Sequence, residues 1–160
     1  MLAFVEKPHN HLDRLDDELR QAPALTPALF AKLLTNACSR IAVLRRAGKT
    51  AQLDRLVAAG AWTDAACVLV ELELPAWRVR RLVCENGAWL CTLSRQPHVP
   101  IPQDDAIDAW HEVLPLAILR AFVEARCGNS LTAKTVTPIP HVRPLPDALP
   151  DAMICCDDFA

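Results

Sequence analysis

Several short stretches of this chain carry side chains whose types could do chemistry. Gly48-Lys49-Thr50 has the residues that close a phosphate-binding loop, in which backbone N–H groups cradle a phosphate and the lysine reaches it. The full pattern also needs glycine at position 43, a strand before the loop and a helix after it. Position 43 is Val43, and an apolar helical stripe precedes Gly48. A glycine ending one helix and a threonine capping the next explain the same residues. His9-Asn10-His11 invites a metal or nuclease reading, but two imidazoles at i, i+2 do not converge as an i, i+4 pair on a helix does. No glutamate nearby completes a metalloprotease pattern. Cys155-Cys156-Asp157-Asp158 could ligate a soft metal, yet adjacent cysteines are poor partners for one tetrahedral ion. His111-Glu112 could serve as an acid–base pair only with a nucleophile or substrate within hydrogen-bond reach, and the sequence nominates none.

The arginines between Trp77 and Arg95 make the remaining candidate. Asn86-Gly87 lies between two β-prone runs, the strongest short-range hairpin signal. A two-residue loop sets Glu85 opposite Ala88, Cys84 opposite Trp89, Leu82 opposite Cys91, Arg80 opposite Leu93 and Arg78 opposite Arg95. Guanidinium groups directly opposite each other repel. With Arg80 alongside, the face calls for acidic partners: Glu71 and Glu73, the tail's Asp157 and Asp158, or a bound phosphate or carboxylate, for which arginine forks are suited. The expected anion site is Arg78, Arg80 and Arg95, with Trp89 beside them.

The elements that position these groups follow from periodicity. Leu12, Leu15 and Leu19 recur at helical spacing, and Pro23 stops that helix. Thr26-Pro27 starts a stripe through Phe30, Leu33, Ala37, Ile41 and Leu44 to Gly48. Thr50 caps a shorter helix to Gly60. Residues 63–74 read as a helix capped by Thr63 or as a strand; the cap and the alanines favour helix. After the hairpin, Asp104 or Asp105 caps a long helix over 104–127, which Pro115 kinks or divides and Gly128 ends. Beyond Pro115 that helix is apolar around most of its circumference, which implies deep burial or a subunit interface. Leu131 to Thr137 adds an edge strand, and the prolines from Pro138 to Pro150 make an extended tail.

The run Trp77-x-x-x-Arg81-Leu82-Val83, Asn86-Gly87-x-Trp89-x-Cys91-x-Leu93-Ser94-Arg95, followed by His111-Glu112-Val113-Leu114-Pro115-Leu116-Ala117-Ile118-Leu119, resembles small uncharacterised proteins of alphaproteobacteria. The resemblance covers roughly the middle third of the chain and implies a bacterial protein, but no activity.

At 160 residues, one domain is expected, and 52% hydrophobic residues suffice for a core without staples. A net charge of −2 gives no support for nucleic-acid or anionic-membrane binding. The longest charge-free run, Gln21 to Ala31, falls far short of the ~20 residues that span a bilayer. The first residues lack the basic and apolar regions of a signal peptide, so a cytoplasmic location is expected. Seven cysteines in no framework spacing read as free thiols.

The expectation is an α+β domain over 1–137, with helices packed on a small antiparallel sheet built around the 77–95 β-hairpin, and a Pro-rich extended tail over 138–160. Nothing in the sequence calls for a cofactor or a metal. The expected function is a non-catalytic interaction module acting as a homodimer. The alternative is a protein or enzyme that binds a small anionic ligand through the arginines.

Overall fold

The computed structural model describes residues 8–98 and 106–132. They form an α+β fold of six helices and one three-stranded antiparallel sheet. The helices are α1 (Pro8–Gln21), α2 (Pro27–Ala37), α3 (Ser39–Arg46), α4 (Ala51–Ala58), α5 (Trp62–Glu73) and α6 (Leu114–Thr132). The strands β1 (Arg78–Glu85), β2 (Ala88–Ser94) and β3 (Ile107–His111) lie in the order β1-β2-β3. Among the described residues, no helix is long and apolar enough to cross a membrane. The proline-rich tail, its cysteines and its aspartates lie outside the described residues.

The local signals placed most elements. Thr26 caps α2 through its hydroxyl, which accepts from Leu29 N at 3.2 Å, and Pro27 is the first helical residue. Residues 63–73 lie in α5 and Leu74 follows as its C-cap, so the helix reading of this stretch holds and the strand reading does not. The start of that helix is not capped by Thr63: the cap residue is Ala61, with no side-chain hydrogen bond. Thr50 sits at the cap of α4, but its buried hydroxyl donates to Asp54 Oδ2 at 2.9 Å instead of accepting from the backbone.

The stripe from Pro27 towards Gly48 is not one helix. It breaks at Cys38, whose backbone leaves the helical region at φ −118° and ψ 87°. The break exposes the first N–H groups of α3, and a buried carboxylate meets one of them. Glu73, at the end of α5, accepts from Ile41 N at 2.5 Å. This is the bond an N-cap side chain ordinarily makes, supplied here from another helix. The other oxygen of Glu73 lies 3.9 Å from Arg126 on α6.

The long helix expected over 104–127 is also not observed. Ile107 to His111 form a strand, and only the part beyond Val113 is helical. Ile107, Trp110 and Leu114 have helical spacing, but the shorter alternation is the one that pairs. Ile107, Ala109 and His111 face the same side as Leu93, Cys91 and Trp89 of β2, while Asp108 and Trp110 face the other. Pro115 causes no kink because it falls in the first turn of α6, where a missing N–H costs nothing. Gly128 does not end α6, which runs on to Thr132; residues 133–137, the rest of the expected edge strand, lie outside the described residues.

The core explains the unusual apolarity of α6. Leu116 to Ile118, Leu119, Ala121 to Val123 and Ala125 are all buried among α1, α5 and the sheet. Burial within one chain therefore accounts for that helix, without a subunit interface. Phe30 and Trp62 close the far side of the core with ring centroids 5.8 Å apart.

The hairpin register agrees with expectation from the turn to Leu82 opposite Cys91, and then shifts. Asn86 and Gly87 both have positive φ, 52° and 82°, as a type I′ turn requires. A bulge at Arg80 then inserts one residue, so Val79 faces Leu93 and Arg78 faces Ser94, not Arg95. The reason lies in the core. An unbroken register would turn Arg80 and Arg78 towards the helices. The bulge turns Val79 and Trp77 inward instead, and Trp77 is buried.

Glu73 tests the helix break. Glu73→Ala is expected to destabilise the fold by about 3 kcal/mol, since it orphans a buried N–H and leaves a space. Glu73→Gln, which keeps an acceptor, should lose less than half of that. Urea unfolding measures both; an alanine variant within about 0.5 kcal/mol of wild type contradicts the capping role.

Candidate functional site

The expected arginine site is divided in the folded chain. Arg78 donates to the carbonyls of Pro75 and Trp77, both at 2.8 Å, and so closes the turn after α5. The Arg95 guanidinium lies over the Trp77 ring, 4.8 Å from its centroid. Trp89 is at the other end of β2, opposite Cys84 and His111. Arg80 lines a pocket of about 200 Å³ with Arg81, Thr92, Ala106 and Asp108, and neither Arg78, Arg95 nor Trp89 borders it. Thr92 is buried and donates to Asp108 Oδ1 at 2.5 Å, which leaves a carboxylate at the pocket wall beside the guanidiniums.

The sheet face turned away from the helices carries a different set. Cys91, Leu93, Ala109 and Trp77 belong to the core cluster; Val83, Leu90 and Trp110 do not. Leu90 faces Val83 on one side and Trp110 on the other. Leu90 is buried, whereas Trp110 is 44% exposed. An indole left this open on a paired strand is informative, since a large apolar side chain normally finds cover.

The backbone beneath that indole is fixed from inside. Arg120 is the buried cation of α6, and its Nη1 donates to the Trp110 carbonyl. Its Nε donates to Asp16 Oδ1 at 3.0 Å, and Asp16 also accepts from Arg20 at 3.0 Å. One ionic centre thus joins α1, β3 and α6 directly behind Trp110. Trp110 also borders a groove of about 420 Å³ with Arg20, Pro23, Ala88, His111 and Glu112. His111 Nδ1 accepts from Val113 N at 2.9 Å, so the neutral ring carries its proton on Nε2. His111 thereby helps to start α6.

The other candidates gain little from the fold. Gly48 ends α3 with φ 68°, so a helix, not a strand, precedes Lys49 and Thr50. His11 lies in the first turns of α1. Among the described residues, no cluster of His, Cys, Asp and Glu is arranged to hold a metal ion. Buried thiols are poor nucleophiles here. Burial pushes Cys91 up to about 12, and burial followed by the Glu73 carboxylate raises Cys38 further. Burial and nearby carboxylates also raise Cys67 and Cys127.

A groove of about 360 Å³ between α1 and α6 gathers Asp13, Asp16, Asp17, Arg20, Glu124 and Cys127. Burial, then Asp16, holds the Glu124 carboxyl above its ordinary range. Such a group can be an acid catalyst; the Cys127 thiol on the same groove is raised as well, which makes it a weaker nucleophile.

Two sequence signals bear on this arrangement. The spacing of Ile107, Trp110 and Leu114 fits a helix, which would turn Trp110 to the core; the strand turns it outward. Arg120 stands alone as a charge within an apolar run, a pattern that marks a buried, paired cation. Comparison with protein-family models, with curated proteins and with solved structures finds no match for this chain.

The raised Glu124 carboxyl has a consequence for stability. The folded state holds that proton more tightly than the unfolded chain does. Its contribution is therefore present below the ordinary carboxylate range and lost as pH rises through the raised value. Glu124→Gln is expected to raise the thermal midpoint near about pH 7 and to change it little near about pH 4. Equal midpoints for variant and wild type at the higher pH contradict this.

Proposed function

We propose that this protein is a non-catalytic interaction module that uses Trp110 as the anchor of a docking surface. The observation that carries the reading is the 44% exposure of an indole whose backbone is held by the buried Arg120. Tryptophan is favoured at the energetic centres of interfaces, because it offers a large rigid area at small entropic cost. The buried Leu90 backs the indole on the neighbouring strand, while Arg20, Glu112 and Asp108 supply a rim of both charges. Such a surface suits a protein segment that inserts an apolar side chain beside the indole and carries flanking charges. It suits a nucleic acid less, since the rim is not basic.

The test places a photo-crosslinking amino acid at position 110 in the producing cell, with position 43, another exposed apolar site, as control. Adducts formed at 110 and not at 43 identify the partner. Binding of that purified partner should weaken about 30-fold or more in Trp110→Ala, the mark of a central anchor. Equal adducts from both positions, or unchanged binding by the alanine variant, overturn the reading.

A second reading is a small anionic ligand held by Arg80 and Arg81, favoured by their place on one pocket of about 200 Å³. Asp108 on the same wall opposes it. Thermal unfolding with a panel of phosphates, nucleotides and carboxylates decides. A ligand-dependent rise in midpoint that disappears in Arg80→Ala supports this reading, and no rise across the panel removes it.

A further inference from the structure

The sheet ends at β1, which has one strand neighbour among the described residues. An open edge of this kind is a template for another strand, and natural proteins blunt it with charges, bulges or cover. The bulge at Arg80 interrupts the first half of β1. It leaves a regular stretch from Arg81 to Glu85 in which every residue but the half-buried Val83 is exposed. Leu82 is 37% exposed, one of only three large apolar side chains so open among the described residues. The stretch reads basic, apolar, apolar, thiol, acidic. Run antiparallel to itself, it is complementary.

We propose that this edge pairs with the same edge of a second copy of the chain, across a two-fold axis through Val83, joining two three-stranded sheets into one. The axis stands normal to the sheet, so it keeps outer face with outer face. Val83 then meets Val83 of the partner subunit, Leu82 meets Cys84 of the partner subunit, and Arg81 meets Glu85 of the partner subunit at both ends. Backbone direction agrees with this register. A two-residue type I′ loop makes Glu85 and Ala88 exchange both N–H···O bonds, so Glu85 and Val83 aim their backbone groups at β2. Leu82 and Cys84 therefore aim theirs outward, and these are the residues the register brings opposite each other.

Charge selects this register over its neighbours. An axis through Leu82 sets Arg81 against Val83 of the partner subunit, one through Arg81 sets two guanidiniums against each other, and one through Cys84 sets Val83 against a carboxylate; none of them pairs Arg81 with Glu85. Within one chain, Arg81 and Glu85 approach only to 3.4 Å and stay 48% and 49% exposed. A bond this loose is readily exchanged for one across the axis. The contact is short beside the roughly 1,600 Å² of a standard interface, so the dimer forms with rising concentration and is not permanent. It uses the edge opposite β3 and is independent of Trp110.

Sedimentation velocity on the full chain, from about 1 to about 500 µM, should show the 17.6 kDa species give way to one of twice that mass. Arg81→Glu and Glu85→Arg should each weaken self-association at least about tenfold, and the double variant should restore it, with unchanged thermal midpoints showing that all three fold. In a Cys84→Ser background, Val83→Cys should form a disulfide-linked dimer on mild oxidation, because facing non-hydrogen-bonded residues approach closely. Trp110→Ala should leave self-association unchanged. A monomer at every concentration overturns the proposal. So does a double variant weaker than both singles, a Val83→Cys chain that stays unlinked, or a dimer abolished by Trp110→Ala.

Discussion

The structure depends on how one buried guanidinium is neutralised. Arg120 interrupts the otherwise apolar run from Leu114 to Val123 of α6, and it is only 8% exposed. A charge in that position is tolerable only if opposite charge and acceptors meet most of its donors. Asp16 supplies the charge from α1, and the Trp110 carbonyl supplies an acceptor from β3. Apolar packing alone would let α1 and β3 slide along α6 with small penalties. The guanidinium fork removes that freedom, since a displacement of either partner strands a buried charge. The net stability gained is small by this reasoning; the gain is in where α1 and β3 must lie.

The same accounting explains the two irregularities of the backbone. Helix α3 begins where it does because Glu73 offers an acceptor to Ile41 N, and Glu73 can remain buried because that N–H and Arg126 stand near its oxygens. The bulge at Arg80 arises because a regular strand would bury Arg78 and Arg80 and expose Trp77. One inserted residue costs a ladder bond, whereas a buried unpaired arginine costs several times more. In both places a charged side chain decides a backbone feature that local propensity leaves open.

This also explains what was legible in the sequence. The turn at Asn86-Gly87, the cap at Thr26 and the helical character of residues 63–74 depend on neighbours within a few positions, and they could be read. The break at Cys38 depends on Glu73, far along the chain, so an unbroken stripe through Ile41 looked like one helix. Residues 107 to 111 satisfied helical and strand spacing together, and the choice belongs to β2, which offers a paired edge. The candidate site suffered most from this. Arg78 opposite Arg95 follows from the turn alone but not through the bulge, and the helical spacing around Trp110 hides that a strand turns it outward.

The placement of the two proposed surfaces on one sheet has a physical consequence. β2 separates β1 from β3, so pairing along the outer edge of β1 neither covers Trp110 nor disturbs the Arg120 centre behind it. An axis normal to the sheet also keeps both outer faces on the same side. A dimer joined through β1 therefore presents two Trp110 surfaces in one direction at a fixed separation. A partner carrying two matching segments would bind the second at the effective concentration set by the first, so modest single-site affinity could yield strong attachment. The proposed self-association and a single exposed tryptophan, each a small contribution alone, would then act together through the geometry of the sheet.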